Sequence, residues 1–160
     1  DLFSIDIDGI DYWIIDKLDL SSVKIFIAEY NPVYGSDMEV TVPNLENFNR
    51  KDYHYSNLCY GMSLIALKNI MIKKNFYLIG TNSTRNNAFF ISEEFKQSEY
   101  FPNIKIKDLD YYTDFNYRES RDKNNKLTYI TSKSCIKEIK ECNVVDLKDN
   151  NKIKKISELL

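Results

Sequence analysis

The stretch that decides the fold of this chain is Leu2-Phe3-Ser4-Ile5-Asp6-Ile7-Asp8-Gly9, close to the start of the 160-residue sequence. An apolar run that carries two acidic residues and is closed by a glycine is typical of a buried strand in a parallel sheet. Open α/β sheets bind their ligands at the edge formed by the carboxyl ends of such strands. We therefore predict an α/β sheet with Asp6 and Asp8 at its ligand-binding edge.

The residues that follow predict a β-α-β unit. Ile10 to Leu18 carries apolar residues at the spacing of a short helix. Val23 to Ala28 is rich in β-branched and aromatic residues, which favours a second strand, and Pro32 prevents that strand from continuing. A strand, a helix and a strand in close succession predict parallel pairing with a right-handed crossover.

One helix and two more strands complete the predicted sheet. Ser63 to Lys74 has the apolar spacing of an amphipathic helix, Phe76 to Gly80 favours a strand, and Ala88 to Ile91 favours another. The short polar connection between these two strands predicts an antiparallel pair that closes the sheet. Residues 31–58 are polar and aromatic, and a loop of this length in a compact domain usually binds a ligand or covers a site.

The sequence predicts a domain boundary between residues 103 and 104. Residues 1–103 carry the sheet, whereas residues 104–160 predict a hairpin followed by a helix from Ser132 to Cys142. The predicted fold class is therefore α/β, with part of a three-layer sheet made of parallel strands and an antiparallel edge pair. A small C-terminal α+β appendage would complete the chain.

Composition limits the classes of function. A net charge of -2 and a pI near 5.5 argue against a nucleic-acid-binding surface built on positive charge. No apolar stretch in the sequence approaches the ~20 residues of a membrane-spanning helix. The cysteines, Cys59, Cys135 and Cys142, are odd in number and lack C-x-x-C spacing, which favours a reducing cytoplasm over a disulfide framework. We predict a cytoplasmic protein with no nucleic-acid partner and no membrane span, and the oligomeric state stays open.

The ends of the first two strands supply the central candidate site. Asp6 and Asp8, which alternation along a strand places on one side, end the first strand, and Glu29 and Asn31 end the second. Paired strands lie ~4.8 Å apart, so we expect these side chains to converge. Oxygen ligands suit Mg²⁺, which makes Asp8, Glu29 and Asn31 a candidate metal set. In the competing interpretation, one aspartate caps the helix near Ile10 and Glu29 only binds a backbone N–H.

The long loop supplies the remaining candidates. His54 has an ordinary pKa near ~6.5, which suits a general base, but between two tyrosines it is equally well explained as a packed loop residue. Tyr53 and Asn57 are candidate substrate contacts, although polar loop residues often satisfy only backbone groups. The candidate catalytic residues are thus Asp8 and His54. The candidate substrate-binding residues are Asp6, Glu29, Asn31, Tyr53 and Asn57.

Several of these segments resemble a known enzyme family. Residues 1–9, Asp1-Leu2-Phe3-Ser4-Ile5-Asp6-Ile7-Asp8-Gly9, resemble the D-L-(I/L)-K-I-D-(V/I)-(E/D)-G segment of FkbM-like methyltransferases. Ile27 to Pro32, Tyr53 to Leu64 and Gly80 to Phe90 are similar to a bacterial branch of the same group. The likeness covers roughly residues 1–92, and the order of predicted elements is similar to the second half of a class I S-adenosylmethionine-dependent methyltransferase.

The resemblance implies a Rossmann-like methyltransferase sheet that binds S-adenosylmethionine and methylates a hydroxyl of a small molecule or saccharide. The family also implies a glycine-rich loop after the first strand of the fold, but Gly9, Gly35, Gly61 and Gly80 each stand alone. We therefore expect this chain to be the C-terminal half of a longer enzyme, inactive by itself because it lacks that loop. The alternative is a non-catalytic α/β domain that binds a sugar or a protein partner through the 31–58 loop.

Overall fold

The computed structural model describes residues 1–98 and 119–160 and shows a mixed α/β fold with two sheets. The strands of these residues are β1 (Leu2–Ile5), β2 (Ile25–Glu29), β3 (Val40–Thr41), β4 (Phe76–Thr81), β5 (Asn87–Ser92), β6 (Asn143–Asp146) and β7 (Lys152–Lys155). The helices are α1 (Asp11–Lys17), α2 (Arg50–Tyr53), α3 (Leu64–Lys73), α4 (Glu93–Lys96) and α5 (Ser132–Glu138), with 3₁₀ turns at Pro32–Tyr34 and Ile156–Glu158. No helix in the described part of the chain has both the length and the apolar composition that crossing a membrane requires.

The first sheet has four strands in the order β1-β2-β5-β4. β1 and β2 pair in parallel, with Ile5 opposite Ala28, and α1 connects them, so the predicted β-α-β unit is confirmed. β5 runs antiparallel to both of its neighbours, which confirms the predicted antiparallel pair. Because β2 and β4 are both antiparallel to β5, the carboxyl ends of β1, β2 and β4 lie at one edge of the sheet.

One hydrophobic core joins this sheet to α1 and α3. Ser63 caps α3 by accepting a hydrogen bond from the N–H of Ala66 at 3.1 Å, which confirms the helix start predicted from the sequence. Ile15 of α1 and Leu67 and Met71 of α3 are fully buried, and each such side chain contributes roughly 1.5–3 kcal/mol. The two helices share this core and contact each other, so they cover the same face of the sheet. The third layer predicted from the sequence is not confirmed in residues 1–98 and 119–160.

The second sheet joins two distant parts of the chain. β3, which lies within the predicted 31–58 loop, pairs with β6, and β6 pairs with β7. A second hydrophobic core draws on both parts. Its most deeply buried members include Tyr34, Val42, Leu58, Ile139, Val144 and Ile156. The segment 31–58 is thus partly built into a core, whereas the sequence predicts an irregular polar loop.

The pairing of β3 with β6 corrects the predicted domain boundary. Residues 104–160 are not a separate appendage, because a division between residues 103 and 104 would separate two strands of one sheet. The predicted helix is shorter, since α5 ends at Glu138 and not at Cys142. The predicted hairpin is a single bridge between Arg121 and Leu127 in the described residues, and its part before residue 119 lies outside them.

The strand β7 has no counterpart in the sequence prediction, and three of its four residues are lysines. In the structure, Lys154 binds both Asp146 and Asp149 at 2.8 Å, and Lys155 binds Glu141 at 2.9 Å. Charged side chains are a common protection for a strand at the edge of a sheet. The lysines therefore belong to an edge strand whose charges are matched by acidic neighbours.

Candidate functional site

The turn after β1, residues 6–9, is held in shape by Asp11. Asp11 is 1% exposed, and its carboxylate accepts hydrogen bonds from the N–H groups of Ile7 at 3.1 Å and Gly9 at 3.0 Å. Burial raises the pKa of Asp11, and these two hydrogen bonds act in the opposite direction. Asp8 has a φ of 55°, in the left-handed region, so strand alternation does not extend to it. The turn, and not the predicted alternation, sets the direction of the acidic side chains.

Gly9 allows this turn to pack directly against the segment of the same chain that carries Phe48. A Cβ atom added to Gly9 would lie 2.9 Å from Cδ1 of Phe48, which is closer than packed carbon atoms approach. The carbonyl of Gly9 also accepts a hydrogen bond from the N–H of Gly61 at 3.0 Å. The glycine therefore serves close packing, and it fixes the position of the acidic turn.

Three of the predicted site residues converge beside this turn. Asp6, Asp8 and Glu29 each place a carboxylate oxygen so that the three atoms lie within 4.8 Å of one another. We call these residues the acidic cluster. The register explains why Asp6 and Glu29 lie side by side. Ile5 lies opposite Ala28, and Asp6 and Glu29 are the residues that directly follow these two. The cluster lies at the carboxyl edge of two parallel strands.

Glu29 is the buried member of the acidic cluster. It is 7% exposed, and its Oε2 atom has no hydrogen-bond partner in the described part of the chain. Burial, followed by the charges of Asp6, Asp8 and Asp11, raises the pKa of Glu29 to about 8, and Arg50 acts in the opposite direction. An ionised Glu29 therefore lacks, at its Oε2 atom, the hydrogen-bond donor that a buried carboxylate normally has.

Arg50 is the cationic neighbour of the cluster. Its side chain is 13% exposed, its Nη1 donates to Oδ1 of Asp8 at 2.5 Å, and its Nη2 binds the carboxylate of Glu119. The guanidinium carbon lies 5.2 Å from the ring centre of Tyr60, a cation–π distance. Burial raises the pKa of Asp8 by more than Arg50 lowers it. Arg50 thus holds Asp8 while sharing its charge with a second carboxylate.

Sequence reasoning did not identify Arg50. It lies in the polar segment between the second strand and α3, where no spacing or motif connects it to the acidic turn. Arg50 is the first residue of α2, which Asn49 caps, its side chain accepting a hydrogen bond from the N–H of Lys51 at 2.9 Å. An N-cap asparagine is a visible sequence signal for this short helix, but it does not indicate where the helix packs.

Asn31 does not belong to the cluster, which corrects the predicted metal set. Its Nδ2 donates to the carbonyls of Leu58 at 2.8 Å and Tyr60 at 3.0 Å, and its Oδ1 accepts from the N–H of Val33 at 3.0 Å. Asn31 is fully buried, so its amide serves the backbone of its own segment. Asp6 takes its place beside Asp8 and Glu29.

The other predicted loop residues are hydrogen-bonded within their own segment or to the C-terminal part of the chain. Tyr53 donates a hydrogen bond to the carbonyl of Asn143 at 2.7 Å. The Nδ1 atom of His54 lies 2.7 Å from Oγ of Ser56, and burial lowers the pKa of His54. Asn57 has a φ of 61° and donates to the backbone carbonyl of residue 119 at 3.5 Å. None of the three contributes to the acidic cluster, so the structure does not bring His54 together with Asp8.

Comparison of the chain with protein-family models, with curated protein sequences and with solved structures gives no match. The observation that bears on function is the geometry of the acidic cluster. That geometry consists of three converging carboxylates, one buried without a partner and one bound to an arginine, at the carboxyl edge of two parallel strands.

Proposed function

We propose that this chain is the acceptor-side part of an S-adenosylmethionine-dependent methyltransferase that methylates a hydroxyl group of a small molecule or saccharide. The observation that carries the proposal is the acidic cluster at the carboxyl edge of β1 and β2. It lies within the segments that resemble FkbM-like methyltransferases. The parallel β1-α1-β2 unit and the antiparallel β5 support a partial Rossmann-like sheet as part of the same proposal.

The chemistry of methyl transfer to oxygen suits such a cluster. The acceptor oxygen must be held in line with the methyl group and must lose its proton. Carboxylates that accept hydrogen bonds from hydroxyl groups orient the acceptor and favour this proton loss. Under the proposal, Asp6 and Asp8 hold the acceptor, and Glu29 adds a third carboxylate whose Oε2 still lacks a partner. His54 has no proposed role here, because its Nδ1 is paired with Ser56.

The residues of this chain do not by themselves fit the cofactor. A glycine-rich turn that would receive the cofactor is absent from the sequence, in which the four glycines are isolated. Gly9, the glycine beside the cluster, packs against Phe48. The proposal therefore assigns no cofactor-binding role to the residues of this chain.

The alternative, a sugar- or protein-binding domain without catalysis, would use the 31–58 segment as its binding loop. That function has less support, because Tyr34, Val40 and Leu58 of this segment are buried in the second core. Arg50 of the same segment, whose side chain is 13% exposed, binds Asp8 of the acidic cluster instead.

Methyl transfer by the complete protein tests the proposal. We expect Asp8→Asn to reduce the formation of S-adenosylhomocysteine by about 100-fold or more, which is the scale of a lost acid–base group. Asparagine tolerates the left-handed backbone of residue 8 and still accepts a hydrogen bond from Arg50, so the fold should be retained. The assay supplies S-adenosylmethionine and the low-molecular-mass fraction of a bacterial extract as the acceptor pool.

The matched control is Asp16→Asn, which makes the same change at an exposed position of α1. Asp16→Asn should form product at the wild-type rate. Equal rates for the two variants would remove Asp8 from the site.

A further inference from the structure

We propose that the acidic cluster is a divalent-cation site, in which Asp6, Asp8 and Glu29 bind Mg²⁺ or Mn²⁺. Cation binding itself is independent of methyl transfer. The use we assign to the cation, holding the hydroxyl of the acceptor, rests on the proposed function.

The geometry of the three carboxylates fits a small hard cation. One oxygen from each of Asp6, Asp8 and Glu29 lies within 4.8 Å of the others. Oxygens around Mg²⁺ are ~2.9 Å apart when adjacent and ~4.2 Å apart when opposite, for metal–oxygen distances near ~2.1 Å. Small side-chain rotations would therefore bring these oxygens into coordination, and water or the acceptor would fill the remaining positions.

The unpartnered oxygen of Glu29 is an independent indication of a ligand. More than nine-tenths of Glu29 is buried, and its Oε2 has no hydrogen-bond partner in residues 1–98 and 119–160. Leaving a buried carboxylate without a partner is costly, so a chain that retains one at a ligand-binding edge indicates a missing positive group. The carboxylates of Asp6 and Asp8 lie beside that of Glu29, with one oxygen of each of the three within 4.8 Å of the others.

The charge balance at the cluster also favours a cation. Three carboxylates meet there, and the nearby guanidinium of Arg50 is shared between Asp8 and Glu119. The acidic residues near β7 provide a contrast, because Asp146 and Asp149 share Lys154 at 2.8 Å and Asp149 also binds Lys152 at 3.1 Å. When Glu29 is ionised, the cluster therefore has an excess of negative charge that the acids beside β7 do not have.

Two contacts already fix the proposed ligands in place. Arg50 holds Oδ1 of Asp8, which leaves Oδ2 of the same carboxylate to bind a cation. Asp11 holds the turn that carries both aspartates, through the N–H groups of Ile7 and Gly9. Such supporting contacts around metal ligands typically change metal affinity by about 10–100-fold when they are removed. A cation bound here would orient an acceptor hydroxyl and make its proton more acidic.

Titration of the complete protein with MnCl₂, followed by electron paramagnetic resonance of the free ion, tests the site. We expect one bound ion per chain that competes with Mg²⁺, and an affinity at least ~10-fold weaker for both Asp6→Asn and Glu29→Gln. Glu94→Gln, on the exposed side of α4, should bind as the wild type does. Circular dichroism of each variant confirms that it is folded.

Two results would overturn the cation site. One is the absence of binding at millimolar Mn²⁺ in the folded wild-type protein. The other is binding that Asp6→Asn and Glu29→Gln leave unchanged. Calorimetry with S-adenosylmethionine in the presence of a chelator separates this failure from failure of the proposed function. Cofactor binding without cation binding would reject only the cation, whereas cation binding without cofactor binding would reject the methyltransferase and retain the site.

Discussion

Replacing Glu29 by Gln is expected to stabilise the protein, raising its free energy of unfolding by roughly 2–4 kcal/mol above about pH 8 when a chelator is present. Glu29 is buried beside two other carboxylates, and its Oε2 lacks a partner. Glutamine has nearly the same shape and carries no charge. Its amide donates hydrogen bonds, which the neighbouring aspartates can accept. Most substitutions at buried polar positions destabilise a protein, so a gain here would mark a group retained for function.

The raised pKa of Glu29 determines how the stability difference between Glu29→Gln and the wild type changes with pH. The pKa of Glu29 is raised from 4.5 in the unfolded chain to about 8 in the folded protein. Between these values the folded state binds more protons than the unfolded state, so wild-type stability falls as the pH rises. Glu29→Gln cannot ionise, so the stability difference between variant and wild type should grow across this pH range and level off above it.

Urea denaturation at several pH values, followed by circular dichroism, measures this difference. Glu94→Gln is the matched control, since Glu94 is exposed at the opposite edge of the sheet. Its stability should follow that of the wild type at every pH. A Glu29→Gln variant that is less stable than the wild type at high pH would show that the ionised Glu29 already has a stabilising partner in the folded protein. That result would contradict a ligand-binding role for its Oε2 atom.

Asn31→Ala is expected to destabilise the protein by about 3–5 kcal/mol, because it leaves three buried backbone groups without a partner. These groups are the carbonyls of Leu58 and Tyr60 and the N–H of Val33. Asn31 follows β2, so its loss should loosen the connection between the first sheet and the second core. We expect a lower urea midpoint with an unchanged m-value.

The control for Asn31→Ala is Asn47→Ala, the same change at an exposed position. Surface substitutions of this kind usually change stability by less than ~0.5 kcal/mol. Equal midpoints for the two variants would contradict the role assigned to Asn31. They would also make Asn31 a candidate metal ligand again, beside the acidic cluster.

The first sheet was predictable because its information is local. Each of its signals is contained in a short stretch of neighbouring residues. These signals are the apolar runs of β1 and β2, the amphipathic pattern of α3 and the cap at Ser63. The edge that collects Asp6 and Glu29 then follows from parallel pairing alone. Sequence patterns therefore place Asp6 and Glu29 side by side without any knowledge of the tertiary structure.

The remaining parts of the site depend on contacts that no local pattern carries. β3 consists of only two residues, and it pairs with β6 from the other end of the chain. Arg50 reaches Asp8 across 42 residues of sequence, and the buried state of Asn31 follows from the second core. Polar residues in a segment with weak periodicity resemble a loop, although tertiary packing gives several of them a fixed structural role.

Calorimetry of the complete protein with S-adenosylmethionine in the presence of a chelator tests the central claim most directly. We predict saturable binding at one site per chain. A folded protein that gives no binding heat at millimolar cofactor would contradict the claim that Asp6, Asp8 and Glu29 form the acceptor side of a methyltransferase.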